Sequence, residues 1–133
     1  MDSGMTRKWF AFADRDLALA EHALTMHPQP YEIICYHCQQ AAEKYLKGYL
    51  IFQGVDDPPR THDLDVLCAA CSEYDERFDE LQRNCHVLAY YAVQPRYPHD
   101  IEITEAQMQN ALRYANGIKD SAALVELRIS WES

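Results

Sequence analysis

At 133 residues, with 48% hydrophobic residues and only four glycines, the chain can bury a core without disulfide staples and is poor in helix breakers. A formal net charge of −9 argues against a free-standing nucleic-acid binder, of DNA above all, because phosphate contacts dominate such affinity; the excess is local, with nine Asp/Glu against two Lys/Arg in residues 54–80, so an anion site on another face stays open. No apolar run reaches membrane-spanning length, Met1-Asp2-Ser3-Gly4 lacks a signal pattern, and five cysteines is an odd count, so a cytoplasmic protein without a disulfide framework is expected.

The spacing predicts a first helix over about Thr6 to His27, where Trp9, Phe12, Ala13, Leu17, Ala20, Ala23 and Leu24 form one apolar stripe. Pro28 and Pro30 end it. A second helix, about Tyr31 to Gln53, turns Ile34, Cys35, Cys38, Ala41, Ala42, Tyr45, Leu46 and Tyr49 inward and carries His37, Gln40, Lys44 and Lys47 on the other side. Glu43 precedes Lys47 by four residues, the favourable order for a helical ion pair, and Gly54 fits a C-cap. Asp56-Asp57-Pro58-Pro59 reads as a rigid loop. A third helix starts near Thr61 or Asp63 and runs to about Tyr74, and a fourth spans about Glu76 to Tyr91.

Pro95 and Pro98 bracket a second loop, from Val93 to Ile103. Thr104-Glu105-Ala106-Gln107 has the form of a capping box, and Met108, Ala111, Leu112, Ala115, Ile118, Ala122, Val125 and Ile129 continue as one last helix. No segment alternates with period two, so no sheet is expected. Amphipathic helices joined by short loops bury their stripes against one another. The expected fold is therefore all-α: an up-and-down antiparallel bundle of four to five helices, one domain over residues 1–133.

Three groups of residues suggest chemistry. Gln40, Lys44 and Lys47, with His37 beside them, can hold a phosphate through charge-assisted hydrogen bonds; Arg96 can add a bidentate fork and Tyr97 a surface for stacking a base. The same lysines can equally be paired with nearby acids on a solvated face. His62 and Asp63 open the third helix: Asp63 suits an N-cap, and a histidine near a phosphate can move a proton at neutral pH. Cys35-Tyr36-His37-Cys38 and Cys68-Ala69-Ala70-Cys71 have zinc-like spacing, but both lie inside helices, on the apolar stripe and without turn residues. Core thiols are expected there, and neither a metal nor another cofactor.

Gln39-Gln40-Ala41-Ala42-Glu43-Lys44-Tyr45-Leu46-Lys47 resembles the Q-Q-A-A-E-K-x-L-K helix of HEPN domains. Thr61-His62-Asp63-Leu64 is similar to that family's T-H-D-L, Arg96-Tyr97-Pro98 to its R-Y-P, and Trp9 with Asp14–Asp16 to its first helix, all in the family's order over roughly residues 7 to 128. The resemblance implies a helical bundle that homodimerises, binds a nucleotide or acts on RNA, and is often encoded beside a minimal nucleotidyltransferase in a toxin–antitoxin or related pair. Catalytic members are metal-independent RNases with R-x4-6-H on a late helix. Here Arg83/His86 and Arg96/His99 each have two residues between them, and Arg15/His22, with six, lies on the first helix. The leading expectation is a homodimeric accessory domain working with a nucleotidyltransferase-like partner, with Gln40, Lys44, Lys47, His62, Arg96 and Tyr97 at a nucleotide site. The alternatives are an RNase using Arg83, His86, Arg96 and His99, and a purely structural assembly domain.

Overall fold

The computed structural model of the chain describes residues 3–93 and 102–132. Arg96, Tyr97 and His99, and most of the Pro-bracketed loop that carries them, lie outside these residues. Six α-helices are described: α1 (Ser3–His22), α2 (Tyr31–Phe52), α3 (Leu64–Ser72), α4 (Gln82–Ala89), α5 (Glu105–Lys119) and α6 (Ala122–Glu132). A 3-10 turn, Ala23–Thr25, ends α1, and a 3-10 stretch, Glu76–Leu81, leads into α4. No strand occurs among the described residues, and the all-α bundle expected from periodicity is present.

The helix ends have local causes. The Asp63 carboxylate caps α3 by accepting from the Asp65 backbone N–H. At α5 both halves of the capping box form between Thr104 and Gln107. At the end of α2, Gly54 takes φ 93°, and the amides of Gly54 and Val55 donate to the carbonyls of Ile51 and Leu50. This double closure needs a residue that adopts the left-handed region without strain.

The core differs from the predicted stripes in two places. On α1 the buried face is Thr6, Phe10, Ala13, Leu17 and Ala20, whereas Phe12 is exposed. Phe10 lies three residues before Ala13 and seven before Leu17, so it shares their face more closely than Phe12 does. The long last helix breaks at Asp120–Ser121, and the break resets the phase: Ala123, Leu124 and Leu127 are buried, and Val125 and Ile129 turn outward. The fourth predicted helix begins with a 3-10 stretch capped by Asp75, whose carboxylate accepts from the Arg77 amide.

α2 packs against α1, α3, α4 and α5, so it has almost no free side. α1 and α2 run antiparallel: Thr6 pairs with Gly48 near one end and Asp16 with His37 near the other. Phe10 meets Tyr45 edge-on at 5.5 Å and Trp131 at 5.4 Å, and Tyr49 meets Phe78 at 4.6 Å. These are the separations at which aromatic pairs add to simple burial. The Thr6 hydroxyl donates to the Gly48 carbonyl at 3.0 Å, and a Cβ on Gly48 would lie 2.9 Å from both the Phe10 ring and the Trp9 Cβ. Gly48→Ala should therefore push α1 off α2 and cost about 1–3 kcal/mol by overpacking. Urea unfolding followed by helical circular dichroism checks this, and an unchanged midpoint would contradict the close approach.

Candidate functional site on the second helix

Because α2 is enclosed, its polar side chains find partners within the protein. Glu43 is only 6% exposed. Its carboxylate lies 2.8 Å from His62 Nδ1, accepts from Lys47 Nζ at 3.1 Å and accepts from the Gln39 amide at 3.2 Å. Burial pushes the Glu43 carboxyl up, and the hydrogen bonds from His62, Lys47 and Gln39 outweigh it, leaving the group below the usual carboxylate range. Gln39 is fully buried; its amide also donates to the His62 carbonyl at 3.2 Å, and its oxygen accepts from Gln40 at 2.7 Å. Gln40, Glu43, Lys47 and His62 thus belong to one network joining α2 to the segment before α3.

A second buried carboxylate, Asp16 of α1, lies 2.9 Å from His37 Nδ1 and accepts a short hydrogen bond from Lys44. Asp14, on the far side of α1, accepts from Arg128 at 2.8 Å and from the Tyr45 hydroxyl. Burial, then the hydrogen bond and charge of Asp14, push the Tyr45 phenol well above its ordinary value. The Arg128 guanidinium also lies 4.9 Å from the Phe10 ring centroid, which ties α6 to the α1/α2 seam.

The lysines of α2 thus face carboxylates of their own chain, and the ridge is close to neutral. An incoming phosphate has to share Lys44 with Asp16 and Lys47 with Glu43. His62 is the most open member, with 70% of its side chain exposed. Gln40, Lys44, Lys47 and His62 all lie on α2 or hydrogen-bonded to it, whereas Arg96 and Tyr97 fall outside the described residues.

Arg83 and His86 come together elsewhere, on α4. They line a cleft of about 540 Å³ with Asp65, Cys68, Ala69 and Gln82. His86 Nδ1 lies 3.0 Å from the Asp65 carboxylate, and Arg83 Nε donates to the Tyr114 hydroxyl at 3.1 Å. A second cleft, of about 490 Å³, shares Asp65 and His86 and adds His62 and Tyr90. A carboxylate that holds Nδ1 leaves Nε2 of His86 as the nitrogen able to exchange a proton. His99 lies outside the described residues.

All five cysteines are buried and reduced. Burial pushes the Cys35 thiol up to about 12 and raises Cys38 and Cys71 as well, whereas the contact with Cys85 lowers Cys68. Cys68 donates to the Phe78 carbonyl and Cys71 to the Leu46 carbonyl. No group of three or more His, Cys, Asp or Glu among the described residues is arranged to hold a metal ion.

Asp16, Gln39 and Asp65 were not among the predicted site residues. Asp16 carried a readable signal, since it falls in phase with Ala13 and Ala20 on the buried face. Gln39 carried the same signal, in phase with Cys35, Ala42 and Leu46, and Asp65 carried none, because its partner arrives from a distant segment.

A family model described as the HEPN domain matches residues 6–124, so the chain belongs to the HEPN family. A solved structure described as an archaeal HEPN homologue superposes with a TM-score of 0.67, covering 98% of each chain at 24% identity, a likeness of fold. Among curated proteins none matches the chain.

Glu43→Gln should remove the charge that Lys47 and His62 face and cost about 3 kcal/mol at neutral pH. The sign of the pH dependence follows from the lowered carboxyl. Its stabilising contribution is complete above the unfolded value of about 4.3 and is lost as pH falls through the lower folded value. Urea midpoints measured down the acid range should fall more steeply for the wild type than for Glu43→Gln, and parallel curves would contradict the pairing.

Proposed function

We propose that this HEPN chain works as a homodimeric accessory and interaction domain beside a nucleotidyltransferase-like partner, in a toxin–antitoxin-like pair. The observation that carries the reading is the internal pairing of Lys44 and Lys47 with Asp16 and Glu43. It makes the family helix a fixed scaffold more than a free anion trap. A nucleotide phosphate is the ligand to test at Gln40, Lys44, Lys47 and His62, with Arg96 and Tyr97 supplying the fork and the stacking surface. Light scattering on the purified chain should report twice the mass of one chain. Calorimetric titration with ATP and GTP should give a saturable heat that Arg96→Gln weakens about tenfold. A dimer that gives no heat with either nucleotide loses the ligand and keeps the assembly role.

A second reading, a metal-independent RNase, is favoured by one observation: Arg83 and His86 share a cleft, and His62 lines its neighbour. On that reading His86→Ala lowers cleavage of single-stranded RNA about a hundredfold, the usual loss of a general acid–base group. Unchanged cleavage after replacing both His86 and His99 removes the RNase.

A further inference from the structure

The face of α1 turned away from the core differs from the rest of the surface. Met5, Phe12 and Leu19 recur every seventh residue, which is two helical turns, so they share one edge of the helix. Phe12 is 52% exposed and Leu19 49%. Met5, Lys8, Trp9 and Phe12 line a shallow groove of about 260 Å³. A helix edge with large apolar groups at this spacing offers an elongated apolar strip for contact.

The charge on this face is of one sign. Lys8 and Arg15 flank this edge and are exposed, Arg7 is exposed on the other flank of α1, and among the described residues none of the three meets a carboxylate. Arg7 donates to the Trp131 carbonyl, and the Arg15 guanidinium lies 4.9 Å from the Phe12 ring centroid. Lys44, Lys47, Arg60, Arg77, Lys119 and Arg128 each reach an Asp or Glu, and Arg83 and Arg113 meet Tyr114 instead. The carboxylates of α1 do not neutralise this edge: Asp16 is buried against Lys44 and His37, the half-buried Asp14 pairs with Arg128 and Tyr45, and the exposed Glu21 lies about 160° round the helix from Leu19.

We infer that this face of α1 is a docking surface for an acidic amphipathic helix of a partner protein. The partner's apolar side chains would cover Phe12 and Leu19, and its carboxylates would meet Lys8 and Arg15. Charge complementarity carries the choice of occupant. A second copy laid antiparallel about Phe12 sets Lys8 against Arg15 of its mate, cation against cation, which is unfavourable. A nucleic acid brings a charge with every nucleotide towards a chain of net charge −9 and leaves Leu19 without an apolar neighbour. An acidic helix brings few charges and matches both the apolar edge and its cationic flank.

The inference deepens the accessory reading by giving the partner a surface. Its test uses neither nucleotide nor the native partner, so the two can fail separately. The probe is a fluorescein-labelled designed helix with Leu at i, i+3, i+4 and i+7 steps and Glu at the flanking positions. The control carries Lys in place of each Glu. Anisotropy with the full chain should show saturable binding of the acidic helix, weakened about threefold or more between about 0.05 M and about 0.3 M salt. Phe12→Ser with Leu19→Ser should weaken binding about tenfold or more with the helical circular dichroism and cooperative unfolding retained, since both side chains are half exposed. Lys8→Glu with Arg15→Glu should reverse the preference towards the Lys control. Failure to bind the acidic helix, or binding that ignores both pairs of substitutions, overturns the inference. So does a wild-type dimer that becomes a monomer in the Phe12/Leu19 variant, which would give the face to a second copy. Binding of single-stranded RNA or of phosphatidylglycerol vesicles that the same variant abolishes would give it to a polyanion instead.

Discussion

Glu43 sits on α2 where other helices enclose it, and an ionised carboxylate in that position is tolerable only with donors around it. His62, Lys47 and Gln39 supply them. The pairing carries mechanical consequences along the chain. Holding His62 against α2 fixes the residue before Asp63, and Asp63 caps α3. The first turn of α3 then presents Asp65 to His86 of α4. One buried charge on the second helix is thus linked, through three hydrogen-bonded contacts, to the imidazole of the α4 cleft.

α1 repeats the arrangement from the other side. Asp14 and Asp16 face inward, to Arg128, Tyr45 and Lys44, and so lock α1 to α2 and α6. Pairing Asp14 and Asp16 with side chains of other helices leaves Lys8 and Arg15 without a carboxylate, which explains how a strongly acidic chain keeps a locally basic edge. The internal pairing and the outward charge of α1 are two results of one placement.

Much of the fold was legible because helical period is a strong signal: the inward stripe of α2, the capping box at Thr104, the Asp63 cap and the Gly54 closure all follow from local residues. What escaped was phase. Trp9, Phe10 and Phe12 crowd four positions, and the expected stripe passes through Trp9 and Phe12, whereas Phe10, in phase with Ala13 and Leu17, is the buried ring. The break at Asp120–Ser121 escaped because Ala122 continues the apolar spacing of Ile118 even though the helix has ended. At the site, the Glu43–Lys47 pair was readable as an i,i+4 step. The Asp16–Lys44 pair was not, because it joins residues whose proximity depends on the crossing of two helices.

The two motifs that mark the family are joined physically: Gln39 and Glu43 of the Q-Q-A-A-E-K helix hold the carbonyl and the imidazole of His62 in T-H-D-L. A motif pair tied in this way has a sufficient reason to occur in the stability of the bundle, whatever the chemistry of a given member. Chemistry peculiar to this chain is therefore better sought outside that motif pair, among side chains that the core does not enclose: His86 and Arg83 around the α4 cleft, and Lys8, Phe12 and Arg15 along α1.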